Sequence, residues 1–387
     1  MSPVAITGLG CICTLGRTLD ACMEGLFRGG REPRPTSRFT TSHPIRYPVF
    51  EVPDFPEVPG MLRTSALGLH AAREAIRDAG LDPEALKGLR VGVCMGTTVG
   101  SAMNDEAFCR AHRAGQDPDL APMVRILASN PAAVIARAFD FKGPCQTVVN
   151  ACSSGTDAIG LGASWIQAGI CDVVVAGGAD ELGRITFDGF ISLKITDPGP
   201  CKPFDQHRRG LNLGEGAGVL VLESERSRAG RAALSFVLGY GSACDAYHPT
   251  APKPDGAGLK RAIAEALAGI APSQLAFVNA HGTGTPDNDR VEGRVLAEVL
   301  PGVPFLSTKG YTGHTLGAAG AIEAIFSAAC LELGRIPANI GFETPDPELG
   351  ASPVTAATAI TGAMALSQSL AFGGNNAVVI LGKGERA

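Results

Sequence analysis

The sequence predicts an α/β protein of layered sheets and helices, built from two halves with the same element order. Apolar runs of strand length alternate with segments whose apolar residues recur at helical spacing. Two of those runs, Val173–Val175 and Val378–Leu381, are apolar at consecutive positions, as strands covered on both faces require. From Leu234 onward the order of elements returns, so the halves divide near residues 229 and 230, as 1–229 and 230–387.

In the first half, strand Val4–Leu9 precedes a helix over Leu69–Gly80, with Leu69, Ala72, Ile76 and Ala79 on one face. Strand Arg90–Met95 follows, then strand Cys145–Asn150 running into helix Ser153–Gly169, then strands Cys171–Ala179 and Gly216–Leu222. The second half opens with strand Leu234–Leu238 and a helix striped by Leu259, Ile263 and Leu267. Strand Leu275–Asn279 leads to helix Asp289–Leu300, and strand Pro304–Ser307 leads through a Gly-rich turn to helix Leu316–Leu333. Strands near Leu370 and over Ala377–Leu381 finish the chain. Such alternation gives mostly parallel sheets with helices on their faces, stacked into layers.

The chain has 387 residues, 45% hydrophobic and 18% charged, enough for a large duplicated core. Its net charge of -5 and lack of a basic run exclude general attraction to nucleic acid or anionic lipid. The N-terminus enters an apolar strand with no basic leader ahead of it, and no run of eighteen apolar residues occurs, so a cytoplasmic protein that neither binds nor spans a membrane is expected. Eleven scattered cysteines without Cys-x-x-Cys or zinc-type His spacing read as free thiols, with no bound metal.

One cysteine stands apart. Cys152 lies between a strand and the helix that begins Ser153-Ser-Gly155, where unpaired N–H groups and a partial positive charge stabilise a thiolate and an oxyanion alike. A buried structural thiol is the ordinary alternative, and it is the reading for most of the others. His281 follows strand Leu275–Asn279 and opens His281-Gly-Thr-Gly-Thr-Pro286, at the strand end where open α/β sheets bind ligands. His314 enters the last long helix from strand Pro304–Ser307, the topological counterpart of Cys152. Lys309 precedes His314 and Glu323 follows it; as cation and carboxylate near two imidazoles they would set charge and orientation, or else be plain surface groups. Gly214-Glu-Gly-Ala-Gly218 and Phe372-Gly-Gly-Asn-Asn376 match no phosphate loop and read as tight turns, with Phe372 as a core side chain or a mobile gate.

These segments resemble the β-ketoacyl-acyl carrier protein synthases of the elongating, Cys-His-His type, which have the thiolase-like fold. The likeness runs from Val4-Ala-Ile-Thr-Gly-Leu-Gly10 through Asn150-Ala-Cys-Ser-Ser-Gly155, Lys202-Pro-Phe-Asp205, Gly214–Gly218, His281–Pro286, Lys309–His314 and Phe372-Gly-Gly374. It implies an α-β-α-β-α layered structure and a reaction in two stages. Cys152 takes an acyl group from a carrier-protein thioester; a malonyl thioester then loses carbon dioxide and condenses with it. The resemblance further implies His281 and His314 as enolate stabilisers and Lys309 with Glu323 as their supporting pair. The backbone of Cys152 and of Phe372-Gly373 would form the oxyanion hole and gate, and Thr283 and Thr285 would hold the pantetheine arm. No cofactor is bound, because phosphopantetheine arrives on the acyl carrier protein. A homodimer is the usual assembly, with the strand before the nucleophile at its interface; a heterodimer with a chain-length-factor partner is an alternative. A degradative thiolase would carry a second cysteine near Phe372, and this chain has none there. Asn150, Gly310-Tyr311 and Leu370-Ala371 depart from the fatty-acid pattern near the reaction chamber, which leaves a specialised polyketide or polyene chain open. With only Arg63 in Pro59–Leu69, carrier docking falls to Arg63, Lys202 and Arg208.

Overall fold

The structure is a computed structural model and describes residues 2–82 and 84–385. The ten-stranded main sheet takes five strands from the first half: β1 (Val4–Ile12), β2 (Val91–Gly96), β3 (Cys145–Val148), β4 (Val173–Asp180) and β5 (Gly216–Glu223). Five come from the second: β6 (Ser235–Cys244), β7 (Leu275–Asn279), β8 (Phe305–Leu306), β9 (Met364–Ala371) and β10 (Asn375–Lys383). Their order is β3-β2-β4-β5-β1-β6-β10-β9-β7-β8, so each half reads 1-5-4-2-3 outward from the centre. In each half only the fifth strand runs antiparallel to its neighbours. The two half-sheets are hydrogen-bonded into one, because Val4–Ile6 of β1 pairs with Ser235–Val237 of β6.

The double burial expected of these strands has a simple cause. Along β4 and β5, Val173, Val175, Val219 and Val221 face one core while Val174, Ala176, Leu220 and Leu222 face another. Helix α1 (Arg63–Asp78) covers the first core from outside. Helices α2 (Ser154–Gln167) and α5 (Ala319–Leu333) share the second, between the half-sheets. Helices α3 (Ala257–Ala266) and α4 (Pro286–Val299) cover the far face of the second half. The result is the α-β-α-β-α stack, with two helices at its centre.

Helix α1 starts six residues earlier than its apolar stripe predicts, at Arg63, because that arginine is drawn inward by Glu215. Helices Leu19–Arg28 and Pro131–Ala138 were not legible as core elements, the first being only ten residues and the second only eight and rich in alanine. The segment Leu316–Leu333 is long and apolar enough to cross a membrane by length and composition, yet 83% of it is buried inside the fold as a central helix.

The start of α2 touches the start of α5 through glycine. A Cβ on Gly155 would lie 2.7 Å from Gly317 O and 2.9 Å from Ala321 N, and one on Gly96 would lie 2.3 Å from the Ser154 carbonyl carbon. Backbone meets backbone here, which is how a residue before α2 can reach one before α5. Gly155→Ala is expected to destabilise the fold by about 1–3 kcal/mol, since the opposing backbone cannot move aside. A urea midpoint equal to that of the wild type would contradict this close contact.

Candidate active site

Cys152 occupies a sharp turn between β3 and α2. Ala151, just before it, adopts φ 48°, a left-handed conformation that costs an L-residue about 1–2 kcal/mol. Hydrogen bonds hold that turn: Thr98 Oγ1 and Ser154 Oγ donate to Ala151 O at 2.9 and 2.6 Å, and Asn150 N donates to Ser154 Oγ at 2.8 Å. The thiol is therefore set on a hydrogen-bonded turn just ahead of α2, whose N-cap is Ser153, rather than on a free loop.

His314 is delivered from the other half by the equivalent strand, β8, and the short helix Lys309–Thr312. Its backbone is strapped to the segment before β5: His314 N donates to Asn212 O at 2.8 Å and Gly214 N donates to His314 O at 2.9 Å. A Cβ at Gly214 would stand 2.3 Å from Thr312 O, so this glycine permits the close backbone approach beside the histidine, but the motif is not the tight turn expected, because Gly216–Gly218 are extended residues of β5. His314 Nε2 lies 3.0 Å from Cys152 Sγ.

His281 emerges from β7, and two carboxylates of α4 hold its loop. Glu292 accepts the N–H groups of His281 and Gly282 at 2.5 and 2.7 Å, while Asp289 accepts those of Thr283 and Gly284, each at 3.1 Å. Behind the imidazole, Lys309 Nζ donates to His281 O at 2.7 Å and to Glu323 Oε1 at 2.5 Å, and stands 3.1 Å from His281 Nδ1. An ammonium can only donate, so Nδ1 is the acceptor and the ring carries its proton on Nε2. The two imidazoles meet edge to face, centroids 5.2 Å apart.

Electrostatics follow from burial. Desolvation pushes His281 and His314 well below the usual imidazole range, helped by the Lys309 charge, so both are neutral at physiological pH. His314 Nδ1 has no partner among the described residues. An orphan acceptor is cheaper to bury than an orphan N–H, so its proton also belongs on Nε2. Both rings thus present an Nε2–H donor. Burial pushes the Cys152 thiol up to about 12, with Lys309 and the Phe372 backbone N–H pulling the other way. Burial therefore opposes the thiolate that the helix start would favour. Glu323 is raised to about 7 by burial, against the pull of Lys309.

A cavity of about 400 Å³ leads to these groups, lined by Cys152, His281, His314, Thr283, Thr285, Leu370 and Phe372 among others. The Thr283 and Thr285 hydroxyls are 2.9 Å apart on its wall. Lys309 and Glu323 sit behind His281, outside the lining. The Phe372 ring lies at the cavity and stacks on Phe190 with centroids 5.4 Å apart. Gly373 donates its N–H to Pro249 O at 2.7 Å, which engages that group within the chain.

Other expectations are corrected. Arg63 is 7% exposed, paired with Glu215 at 2.7 Å and lying over the Phe55 ring. Arg208 is equally buried, 2.6 Å from Asp346. Neither offers a docking cation, since each neutralises a carboxylate distant in sequence; Lys202 is more open but paired with Glu343 at 2.9 Å. Of the three departures assigned to the chamber, only the Leu370-Ala371 pair lines the cavity. Tyr311 turns into the core and donates to Ala338 O at 2.8 Å, and Asn150 turns to Asp157. Residues that sequence reasoning passed over are Asp289 and Glu292, whose i,i+3 spacing just after the His281 motif was the available signal, and Asp180. Asp180 accepts Thr98 N and Gly317 N, both at 2.7 Å, and so ties the start of α5 to the loop after β2, whose Thr98 hydroxyl in turn holds Ala151 O. Cys11, Cys13 and Cys22 also converge, sulfurs within 4.8 Å, fully buried in the central core.

A thiol facing two neutral imidazole donors, at paired helix starts of a duplicated α/β stack, defines a thioester-handling enzyme that stabilises an oxyanion or enolate. Residues 48–228 match the model of the β-ketoacyl synthase N-terminal domain and residues 234–343 that of its C-terminal domain; the chain belongs to the β-ketoacyl synthase family. It is 34% identical to the 3-oxoacyl-[acyl-carrier-protein] synthase 2 of Synechocystis sp., over 98% of each chain. The enzyme of the same name from Staphylococcus aureus is also 34% identical, over 99% of this chain and 98% of the relative. Among solved structures, the ishigamide ketosynthase/chain length factor matches at TM-score 0.90 and 35% identity, covering 98% of this chain and 99% of that one. A ketosynthase in complex with its chain length factor from Xenorhabdus doucetiae matches at TM-score 0.84 and 30% identity, covering 98% of both.

Because the thiol is held protonated, alkylation of Cys152 by iodoacetamide should accelerate about tenfold per pH unit between about pH 7 and pH 10, without a plateau. Lys309→Met removes the main downward pull and should slow the reaction at every pH. A plateau above about pH 8 would mean a stabilised thiolate.

Proposed function

We propose that this protein is a β-ketoacyl-acyl carrier protein synthase in which Cys152 accepts the acyl chain and the two imidazoles decarboxylate the malonyl extender. The observation that carries this reading is the pair of Nε2–H donors facing the thiol. In the first stage Cys152 sulfur attacks the acyl thioester carbonyl; the bond from that carbonyl carbon to the pantetheine sulfur breaks, and the pantetheine leaves as a thiol carrying the Cys152 proton. The N–H groups of Cys152 and Phe372 receive the transient oxyanion.

In the second stage the malonyl thioester carbonyl lies against His281 and His314. Loss of carbon dioxide leaves an enolate whose oxygen accepts both Nε2–H bonds, and neutral donors suit it because they need not give up a proton. The enolate carbon then attacks the Cys152 thioester, forming the C–C bond and releasing sulfur, which regains a proton. Lys309 and Glu323 fix the donor tautomer of His281 from behind. Phosphopantetheine comes on the carrier protein, its arm lying along Thr283 and Thr285 between the mouth and Cys152. No resident cofactor takes part in this scheme.

A mixed dimer is the second reading for the assembly, favoured by the two ketosynthase and chain-length-factor structures among the neighbours. Edge strand β3 is followed at once by Val149, 67% exposed, which suits this edge for pairing with a second chain of either kind.

Incubation with acyl carrier thioester should leave an acyl adduct on Cys152 in the mass spectrum, absent in Cys152→Ala. That variant should still decarboxylate malonyl thioester, whereas His281→Ala should lose decarboxylation by at least about a hundredfold. Failure of the wild type to take up acyl groups, alone or with a ketosynthase-like partner, would sink the reading.

A further inference from the structure

The buried carboxylate of Asp157 lies on the first turns of α2, away from the cavity wall, and no step above uses it. Its oxygens nevertheless gather the groups that flank the nucleophile. Asp157 Oδ2 accepts from Asn150 Nδ2 at 2.6 Å and lies 2.7 Å from Ser153 Oγ, two residues before Cys152 and one after it. Asp157 Oδ1 accepts from Tyr240 OH at 2.7 Å, and Tyr240 belongs to β6 of the other half.

This tyrosine lies close against α2. A Cβ on Gly160 would fall 2.3 Å from the Tyr240 ring, so the glycine is what lets the phenol lie across the helix and reach the carboxylate. The turn that is held needs holding, since Ala151 sits at φ 48° and would relax if its flanks were free. Asn150 acts here as a tether rather than as a wall of the chamber.

We propose that Asp157, anchored by Tyr240, is the positioning residue for Cys152: it braces both flanks of the nucleophile turn and so sets the sulfur for acyl transfer. The inference rests on the ketosynthase reading for its consequence in acylation, and on geometry alone for its consequence in thiol reactivity. Because His281, His314 and Lys309 are held by α4, α5 and the Asn212–Gly214 segment, loosening the Cys152 turn leaves the decarboxylation site in place. The two half-reactions should therefore separate.

Tyr240→Phe keeps the ring and removes one hydrogen bond, and Asp157→Asn keeps the shape and weakens all three. In Tyr240→Phe, acyl transfer from carrier thioester and alkylation by iodoacetamide should both fall about tenfold, the scale expected for a slightly misplaced nucleophile. Asp157→Asn should fall further, and malonyl decarboxylation should stay within about twofold of wild type in both. Unchanged alkylation in Tyr240→Phe would overturn the proposal, as would parallel loss of both half-reactions with a lowered urea midpoint, which marks a merely structural contact. A wild type that alkylates at Cys152 but never takes up acyl groups removes the ketosynthase reading instead, and the alkylation comparison still decides the role of Asp157.

Discussion

The site depends on a lysine ammonium buried beneath a histidine. Lys309 and Glu323 are each about as inaccessible as the hydrophobic core, 1% and 2% exposed, and their 2.5 Å contact is the nearest compensation for placing a charge there. A buried ion pair is a poor source of net stability, because desolvation offsets most of its attraction. What this pair supplies is direction: it occupies His281 Nδ1, forbids a second proton on that ring, and aims Nε2–H at the cavity. The same charge helps to keep His314 neutral and draws the Cys152 thiol downward.

Around that interaction the fold divides its labour by symmetry. Each half carries a strand at its third place that runs into a helix of the central layer; one such junction presents Cys152 and the other His314. Glycines at Gly155 and Gly317 let those helix starts meet, and Asp180 links Gly317 to Thr98, whose hydroxyl holds the turn before α2 at Ala151 O. Nucleophile and donor are thus fixed in register by backbone contact, and His281 is added from the neighbouring strand end.

Much of this was legible in the sequence because its signals are local. A strand, a small-residue turn and a helix can be read from a short window, which placed Cys152, His281 and His314 and returned the element order of both halves. Lys309 and Glu323 could be suspected from their distance to His314, but not their burial. The docking cations failed for a physical reason: Arg63 and Arg208 find their carboxylates at Glu215 and Asp346, far along the chain, and no local pattern reveals that an arginine will be turned inward. Tyr311 and Asn150 misled likewise, since a residue beside a catalytic one can point away from it. The pairing of β1 with β6, which makes one sheet of two, depends on how the halves meet and has no signature in either strand.

The central claim is that the two imidazoles at the cavity, His281 and His314, are neutral Nε2–H donors near neutral pH. Nitrogen-15 NMR of histidine-labelled protein tests it most directly, with the His281 and His314 signals among the seven histidines assigned by difference against His281→Asn and His314→Asn. The account predicts, for both rings, one protonated Nε2 and one bare Nδ1 resonance, unchanged between about pH 6 and pH 8. An imidazolium pattern for either ring in that range, or a proton on His281 Nδ1, would contradict it.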